Sequence, residues 1–119
     1  MVNKMVLIIK SPPFGSGRAS EGLRMAAAMI AMDVMPQIIF IDDGVYCLLK
    51  NQRPESAGLR SFLERLKTLA DLAGVRAVSD SMIKRNIGNS DLDSAYNVKT
   101  VSLNETAELI AQTEAAMTF

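Results

Sequence analysis

The thiol of Cys47 is the most nucleophilic side chain of the sequence, which contains a single cysteine and no histidine. Without histidine there can be no Ser–His or Cys–His dyad, and most transition-metal sites are disfavoured. Amides at a helix N-terminus would lower the pKa of this thiol, whereas the carboxylates of Asp42 and Asp43 just upstream would raise it. Cysteine among apolar neighbours is also a common core residue. Cys47 is therefore a candidate catalytic residue, and inert core packing is the favoured alternative.

A proline- and glycine-rich loop at residues 11–18 follows the first apolar run and is a candidate anion-binding segment. Glycines, an arginine and free amides at a helix N-terminus are groups that hold phosphates and other anions. The loop has neither the Walker spacing nor the dinucleotide-binding spacing of glycines, so turn geometry alone is the favoured alternative. Its candidate ligand-binding residues are Ser11, Gly15, Ser16, Gly17 and Arg18.

Polar side chains also follow the second and third apolar runs of the chain. Asp42 and Asp43 could bind a hard cation or a phosphoryl group, but adjacent acids more often form a turn, with Asp43 as a helix N-cap. Ser79, Asp80 and Ser81 are likewise N-cap candidates for a short helix. No further ligand set accompanies the acids, so the sequence predicts neither a metal nor a cofactor. Asp43 and Ser79 join the candidate ligand-binding residues.

Alternating strands and helices must position these segments. Continuous apolar runs, such as residues 5–9, are typical of strands buried on both faces of a parallel sheet. The predicted strands span residues 5–9, 37–41, 75–78 and 98–103. The predicted helices span residues 19–32, 45–50, 59–73 and 82–87, and a last helix is capped by Asn104. This alternation predicts an α/β fold with a mostly parallel sheet, right-handed crossovers and helices on both faces.

The predicted sheet brings the candidate segments to one place. Ligands of open α/β sheets bind at the carboxyl ends of the strands. Four segments of this chain should meet there, namely residues 11–18, 42–47, 78–81 and 103–104. The sequence thus predicts one rim that carries the loop, the acids, the thiol and the serines.

The composition restricts the classes of partner. The chain has 119 residues, 49% hydrophobic and 22% charged, which predicts one globular domain spanning residues 1–119. Its 13 basic and 13 acidic residues cancel, so direct nucleic-acid binding is not expected. The longest apolar region, residues 25–41, is interrupted by Asp33, Pro36 and Gln37, so no membrane span is predicted. No signal-peptide pattern is present either, and the sequence predicts a cytoplasmic protein.

The first predicted helix is apolar over much of its circumference. Met25, Met29 and Met32 extend its apolar surface beyond the helical stripe, and such a helix is usually buried on more than one side. Methionine side chains pack adaptably. The helix is therefore predicted to form a subunit contact, with simple core filling as the alternative.

Four segments of the chain, taken together, carry a family resemblance. They are Lys10-Ser-Pro-Pro-Phe-Gly-Ser-Gly-Arg-Ala-Ser-Glu-Gly-Leu23, Phe40-Ile-Asp-Asp-Gly-Val-Tyr-Cys-Leu-Leu49, Phe62-Leu-Glu-Arg-Leu-Lys67 and residues 74–85. The chain resembles the DsrE/DsrF-like family, most closely its DsrF/TusC branch, over nearly its whole length. The resemblance implies a three-layer α/β/α sandwich that forms trimers or hexamers in cytoplasmic sulfur handling. In the family's heterohexamers, DsrE/TusD-type subunits carry persulfide sulfur on a cysteine and pass it along a relay.

The resemblance also locates the family's acceptor cysteine, at the junction that here reads Val78-Ser79-Asp80. Ser79 cannot carry a persulfide, because that chemistry needs a thiolate, and Cys47 lies in a different element. The sequence therefore favours a non-catalytic sulfur-relay subunit, as a homo-oligomer (trimer or hexamer) or in a hetero-oligomer with DsrE/DsrH-like subunits. The alternatives are an anion- or nucleotide-binding protein that uses residues 11–18, and a purely structural assembly subunit.

Overall fold

A parallel β-sheet forms the centre of the protein. The computed structural model describes residues 5–53 and 57–119, and five strands lie within these ranges. In chain order they are β1 (Met5–Ile9), β2 (Pro36–Phe40), β3 (Val75–Val78), β4 (Lys99–Val101) and β5 (Ala115–Thr118). Their spatial order is β4-β3-β2-β1-β5, and every neighbouring pair is parallel. The carboxyl ends of these strands therefore share one edge of the sheet, which we call the carboxyl edge.

Helices cover both faces of this sheet. The α-helices in the described ranges are α1 (Arg18–Ala31), α2 (Ala57–Ala73), α3 (Ser79–Lys84) and α4 (Leu103–Ala111). Short 3-10 helices span Asp42–Leu48, Asn89–Asp91 and Ser94–Tyr96. The chain steps from β1 to β4 in one direction and then returns to β5 at the opposite edge. Right-handed crossovers therefore place α1, α2 and α3 on one face and α4 on the other, which confirms the predicted α/β/α fold.

Each face of the sheet has its own apolar cluster, because successive strand residues point to opposite sides. The larger cluster lies on the side of α1 and α2 and includes Leu7, Leu23, Ile38, Phe40 and Leu66. The smaller cluster lies on the side of α4 and consists of Val6, Ile39, Val78 and Val101, with Leu109 and Ile110 packed against it. Burial of one such side chain contributes about 1.5–3 kcal/mol, so the two clusters fix the sheet beneath the carboxyl edge.

The fifth strand is the element that the sequence pattern did not predict. Ala115–Thr118 pairs with β1 at the edge of the sheet, and three of its four residues are exposed. Alanine has a low strand propensity, and an exposed strand lacks the apolar run of a buried one. Two smaller differences concern loops. The first 3-10 helix begins at Asp42 rather than at residue 45, and the predicted loop at residues 89–97 contains two 3-10 turns.

The residue that caps the N-terminus of α4 differs from the predicted one. Asn104 was expected to cap this helix, but the helix already begins at Leu103. Ser102 is the N-cap instead: its hydroxyl accepts a hydrogen bond from the Glu105 amide at 3.1 Å, and the Glu105 carboxylate accepts one from the Ser102 amide at 3.2 Å. This reciprocal capping box satisfies two amide donors that the helix itself cannot use.

The methionines of α1 belong mainly to the core. Met29 is buried, and Met25 packs from the edge against the larger cluster. Met32, at the end of the helix, is 76% exposed. The predicted subunit contact through all three side chains is therefore wrong for Met29, because the helix turns that residue towards the sheet.

The α-helices in the described part of the chain are short. The longest, α2, has 17 residues, whereas a membrane-spanning helix needs about 20 mostly apolar residues. None of the described helices is long and apolar enough to cross a bilayer.

Candidate functional site

The carboxyl edge brings together the segments that carry the candidate residues. The loop at residues 11–18 follows β1, the first 3-10 helix follows β2, α3 follows β3 and α4 follows β4. Hydrogen bonds join these segments to one another: the Asp42 amide donates to the Ser81 hydroxyl at 2.9 Å, and the Leu103 amide donates to the Asp80 carboxylate at 3.4 Å. The segments form one continuous rim, as the strand-end rule requires.

Ser11 links β1 to the two neighbouring segments of this rim. Its hydroxyl donates a hydrogen bond to the Phe119 carbonyl at 3.2 Å, and the Lys10 amide donates to the same carbonyl, also at 3.2 Å. Its own carbonyl lies 3.6 Å from the Cys47 sulfur, which donates to it. The Ser11 hydroxyl and carbonyl are thus both used inside the protein, to hold β1, β5 and the first 3-10 helix together.

The other candidate residues of the loop lie at the protein surface. Gly15, Ser16, Gly17 and Arg18 are all exposed. Gly15 has a φ of 92°, in the left-handed region that glycine adopts at low cost. Gly17 is the N-cap of α1 and offers no side-chain cap, and the Ser16 hydroxyl lies at a marginal 3.5 Å from the Arg18 amide. The loop therefore presents its glycines and the Arg18 side chain at the surface, and α1 begins without a side-chain cap.

Asp43 forms an ion pair across the rim. One carboxylate oxygen accepts a hydrogen bond from Arg85 Nε at 3.0 Å and lies 3.0 Å from Nη2 of the same guanidinium. The third nitrogen, Nη1, donates to the Ser81 carbonyl at 3.2 Å. The expectation that Asp43 caps a helix is wrong, because the 3-10 helix begins one residue earlier and Ile41 occupies its N-cap position. Asp43 instead fastens this helix to α3. No group of three or more potential metal-ligating side chains occurs among the described residues.

The turn before Asp43 depends on a close backbone approach at Gly44. Asp42 has a φ of 53°, and the Gly44 amide donates to the Ile41 carbonyl at 2.9 Å. Gly44 is buried directly against the end of β1: a Cβ atom added to it would lie 2.0 Å from the Ile9 carbonyl oxygen. Only a glycine fits here without moving the 3-10 helix away from the sheet.

Cys47 faces the core from the buried side of the same 3-10 helix. Its side chain is fully buried and belongs to the larger apolar cluster. Burial raises the pKa of the Cys47 thiol to about 12, an effect that a backbone hydrogen bond only partly offsets. A thiol with this pKa is almost entirely protonated near neutral pH, and the protonated form is a poor nucleophile.

Gln52, which the sequence did not single out, supports the C-terminal end of this helix, beside Cys47. The Gln52 side-chain amide lies within hydrogen-bonding distance of three backbone carbonyls: those of Tyr46 at 3.4 Å, Cys47 at 3.0 Å and Leu49 at 3.2 Å. Helix ends leave carbonyls without partners, and the two N–H groups of this side chain are donors shared among these three. A glutamine shortly after a short helix is a weak sequence signal, so only the tertiary structure revealed this role.

We expect Gln52→Ala to lower the free energy of unfolding by about 1–2 kcal/mol, because buried carbonyls lose their donor. Gln52→Glu should be at least as destabilising, since a carboxylate of the same length would face the carbonyl oxygens without a proton to donate. Urea unfolding measures both changes, and Lys50→Ala, at an exposed neighbour, is the control. If Gln52→Glu were as stable as the unmodified protein, the carbonyls would not depend on this amide.

Three consecutive side chains at the junction of β3 and α3 form hydrogen bonds to neighbouring segments. The Ser79 hydroxyl donates to the Val101 carbonyl at 3.2 Å, the Asp80 carboxylate accepts from the amide at the start of α4, and the Ser81 hydroxyl accepts from the 3-10 helix. None of the three caps α3, which begins at Ser79 and has Val78 in its N-cap position. The N-cap prediction is therefore wrong, because each side chain bonds to a neighbouring segment. Ser79 is half-buried beneath that network.

Comparison with known proteins gives one consistent result. Residues 3–119 match the DsrE/DsrF-like family. A TusC homolog from Aliivibrio fischeri is 31% identical over 99% of this chain and 100% of its own length. The intracellular sulfur oxidation protein DsrF from Allochromatium vinosum is 30% identical over 77% of this chain and 69% of its own. Among solved structures, the ychN protein from E. coli superimposes with a TM-score of 0.80 at 23% identity, covering 98% of this chain and 99% of that one.

Proposed function

Because the chain belongs to the DsrE/DsrF-like family, we propose that it is a single-domain, cytoplasmic subunit of a sulfur relay that does not itself carry sulfur. The relatives named TusC and DsrF support the pathway, since the DsrF relative is described as an intracellular sulfur oxidation protein. Its partners would be other copies of itself or DsrE/DsrH-like subunits that supply the cysteine.

One observation carries the non-carrier role: the only cysteine of the chain is a buried core residue. Sulfur transfer between persulfides requires a thiolate that attacks the terminal sulfur of the donor, while the donor's own thiolate leaves. Cys47 has neither the access nor the ionisation for that step, since its pKa is raised to about 12 by burial. Ser79, at the junction where the resemblance locates the acceptor, has a hydroxyl that donates to the Val101 carbonyl.

The hydrogen bonds and the ion pair of the rim support a structural role for this chain in a complex with other subunits. Five polar side chains of the rim are bonded to other parts of the same chain, namely Ser11, Asp43, Ser79, Asp80 and Ser81. Groups paired in this way are held rigidly and are not free for chemistry. The rim would hold a fixed shape against a partner subunit whose cysteine does the transfer.

We expect the Ser79→Cys variant to gain sulfur-accepting ability. The substitution puts a partly exposed thiol at the β3–α3 junction, where the resemblance locates the acceptor cysteine. The variant, in a Cys47→Ala background, is incubated with a persulfidated cysteine-bearing subunit of the family, and intact-protein mass spectrometry counts added sulfur atoms. The unmodified protein should gain none.

The matched control is Ser94→Cys in the same background, which places an exposed thiol in a different segment, the 3-10 helix Ser94–Tyr96. Equal loading of this control would mean that any exposed thiol accepts the sulfur, and that the junction has no special role. Sulfane sulfur on Cys47 of the unmodified protein would overturn the non-carrier proposal itself.

A further inference from the structure

A groove between α4 and the strands β3 and β4 contains charged groups of both signs. It has a volume of about 270 Å³, and we call it the α4 groove. Arg76 and Lys99 line it from the strands, and Glu105 and Glu108 line it from the helix. Small-molecule sites usually have volumes of about 300–1,000 Å³, so a ligand that fills this groove has few non-hydrogen atoms.

Arg76 is an unusual residue for the strand that carries it. It is the only charged residue of the three inner strands, β1, β2 and β3. It is half-buried, and no hydrogen bond or ion pair joins its guanidinium to another described residue. A guanidinium has five N–H donors, and partial burial without an acceptor is unfavourable. The position therefore favours an acceptor that comes from outside the chain.

A second cation lies directly across from Arg76. Lys99 is its partner in the parallel pairing of β3 with β4, and Lys99 has no ion pair within the described ranges either. Like charges at opposed positions of neighbouring strands repel each other. An anion held between the two side chains removes this repulsion. A carboxylate suits the site, because it can accept two parallel hydrogen bonds from the planar guanidinium.

The acids of α4 restrict the kind of anion that the groove can accept. Glu105, Glu108 and Gln112 lie three or four residues apart and so line the groove from one face of the helix. Glu105 accepts a hydrogen bond from the Ser102 amide, whereas the Glu108 carboxylate has no partner among the described side chains. These carboxylates repel a phosphate or another polyanion. A molecule that also carries an ammonium group compensates this repulsion by binding a carboxylate.

The floor of the α4 groove is apolar. It consists of Val101, which is buried, and Leu109, which is half-buried. A short aliphatic group can pack there between the cations of the strands and the acids of the helix. The lining therefore combines an acceptor-seeking side, a donor-seeking side and an apolar surface within one small volume.

Gln37 shows that missing partners on this face of the sheet are not confined to exposed side chains. It lies beside the groove rather than in its lining, and its side-chain oxygen is buried without a hydrogen bond from any described residue. Ile39 pairs with Arg76, so Gln37, two residues earlier, points to the same face. Buried carbonyl oxygens nearly always have a donor. The face thus contains both a cation without an acceptor and an acceptor without a donor.

We propose that the α4 groove binds a small apolar α-amino acid. The carboxylate of the amino acid accepts hydrogen bonds from Arg76 and Lys99, its ammonium group donates to Glu108, and its side chain packs on the apolar floor. An α-amino acid carries both charges near neutral pH, which matches the two cations and two acids of the lining. The proposal does not rest on the sulfur-relay function, because it uses neither the thiol nor the side chains of the β3–α3 junction.

L-valine is the probe for the full chain, and two analogues test its two charges separately. Valinamide lacks the carboxylate, and 3-methylbutanoate lacks the ammonium group. We expect isothermal titration calorimetry to give a Kd on the order of 0.1–1 mM for L-valine, as suits a ligand of so few atoms. Each analogue should bind at least about tenfold more weakly, because it leaves one charged side of the groove unpaired.

Charge-removing variants assign each preference to a residue. In Arg76→Gln and in Lys99→Gln, the Kd for L-valine should rise at least about tenfold, and the preference for L-valine over valinamide should disappear. In Glu108→Gln, the preference over 3-methylbutanoate should disappear while that over valinamide remains. The matched controls are Arg65→Gln and Glu64→Gln on α2, at the other face of the sheet, which should leave every Kd unchanged.

The proposal is overturned if L-valine gives no saturable binding, or if either analogue binds as tightly as L-valine does. It is also overturned if the groove variants bind L-valine as the α2 controls do, because the amino acid would then bind elsewhere. Circular dichroism melting of every variant separates lost binding from lost folding. Lys99 and Glu108 are exposed, so their variants retain the test if Arg76→Gln does not fold.

Discussion

Gly44→Ala is expected to lower the free energy of unfolding by more than about 4 kcal/mol, which is a large part of the total stability of a small domain. The reason is steric: the new Cβ atom would be placed 2.0 Å from the Ile9 carbonyl oxygen, and this neighbour is backbone rather than a flexible side chain. The 3-10 helix must therefore move away from β1. That movement breaks the hydrogen bond from the Asp42 amide to Ser81 and disturbs the ion pair of Asp43.

Urea unfolding followed by circular dichroism measures this effect, and Gly58→Ala is the matched control. Gly58 lies in α2, and a Cβ atom added there meets nothing within 4 Å. Alanine in place of this helical glycine should raise stability, by up to about 1 kcal/mol. If both substitutions were equally harmless, the close approach at Gly44 would not be required for folding.

Cys47 is expected to react with a thiol reagent about a thousandfold more slowly in the folded protein than in the unfolded one. At a pH below 9, a pKa of about 12 in place of 9.0 lowers the thiolate fraction by about three powers of ten. Burial also blocks access of the reagent, which slows the reaction further. The measurement follows Ellman's reagent at pH 8 with and without denaturant.

The Ser94→Cys variant controls for the reagent, because its added thiol is exposed in the folded state and should react at once. In the folded variant, the thiol at position 94 should react quickly and the thiol of Cys47 slowly. If both thiols reacted quickly, Cys47 would not be buried as described, and it would again be a candidate nucleophile.

The same pKa predicts how stability depends on pH. The thiol has a higher pKa in the folded state than in the unfolded state, so its contribution to stability is complete below pH 9 and declines as the pH rises towards 12. Across that window, stability falls by about 1.4 kcal/mol per pH unit. Tyr96, whose pKa is raised mainly by burial, adds a loss of the same sign at high pH. A Cys47→Ala variant should lack the cysteine part of the loss and retain most of the tyrosine part, because Cys47 is the smallest cause of the raised Tyr96 pKa.

Most of the fold could be predicted from the sequence, because strands and helices are indicated by the pattern of apolar residues within each segment. Continuous apolar runs identified β1, β2 and β3, and a helical stripe from Leu59 to Ala73 identified α2. The strand β5 could not be predicted in this way. Its four residues form a strand because their backbone pairs with β1 and because Phe119, which follows, packs its ring against Gly22. These contacts join residues that are about a hundred positions apart.

The sequence by itself also determined which segments meet at the carboxyl edge, because the direction of parallel strands and the handedness of their crossovers fix the placement of every connection. It determined, too, that the chain has one thiol and that Ser79 stands where the resemblance locates the acceptor. Only the tertiary structure decided what the side chains at that edge do. Arg85 reaches Asp43, Val101 accepts from Ser79, and Cys47 lies under the loop of Ser11. Burial and hydrogen bonding depend on which distant backbone atoms come close, and no local pattern of residues encodes that.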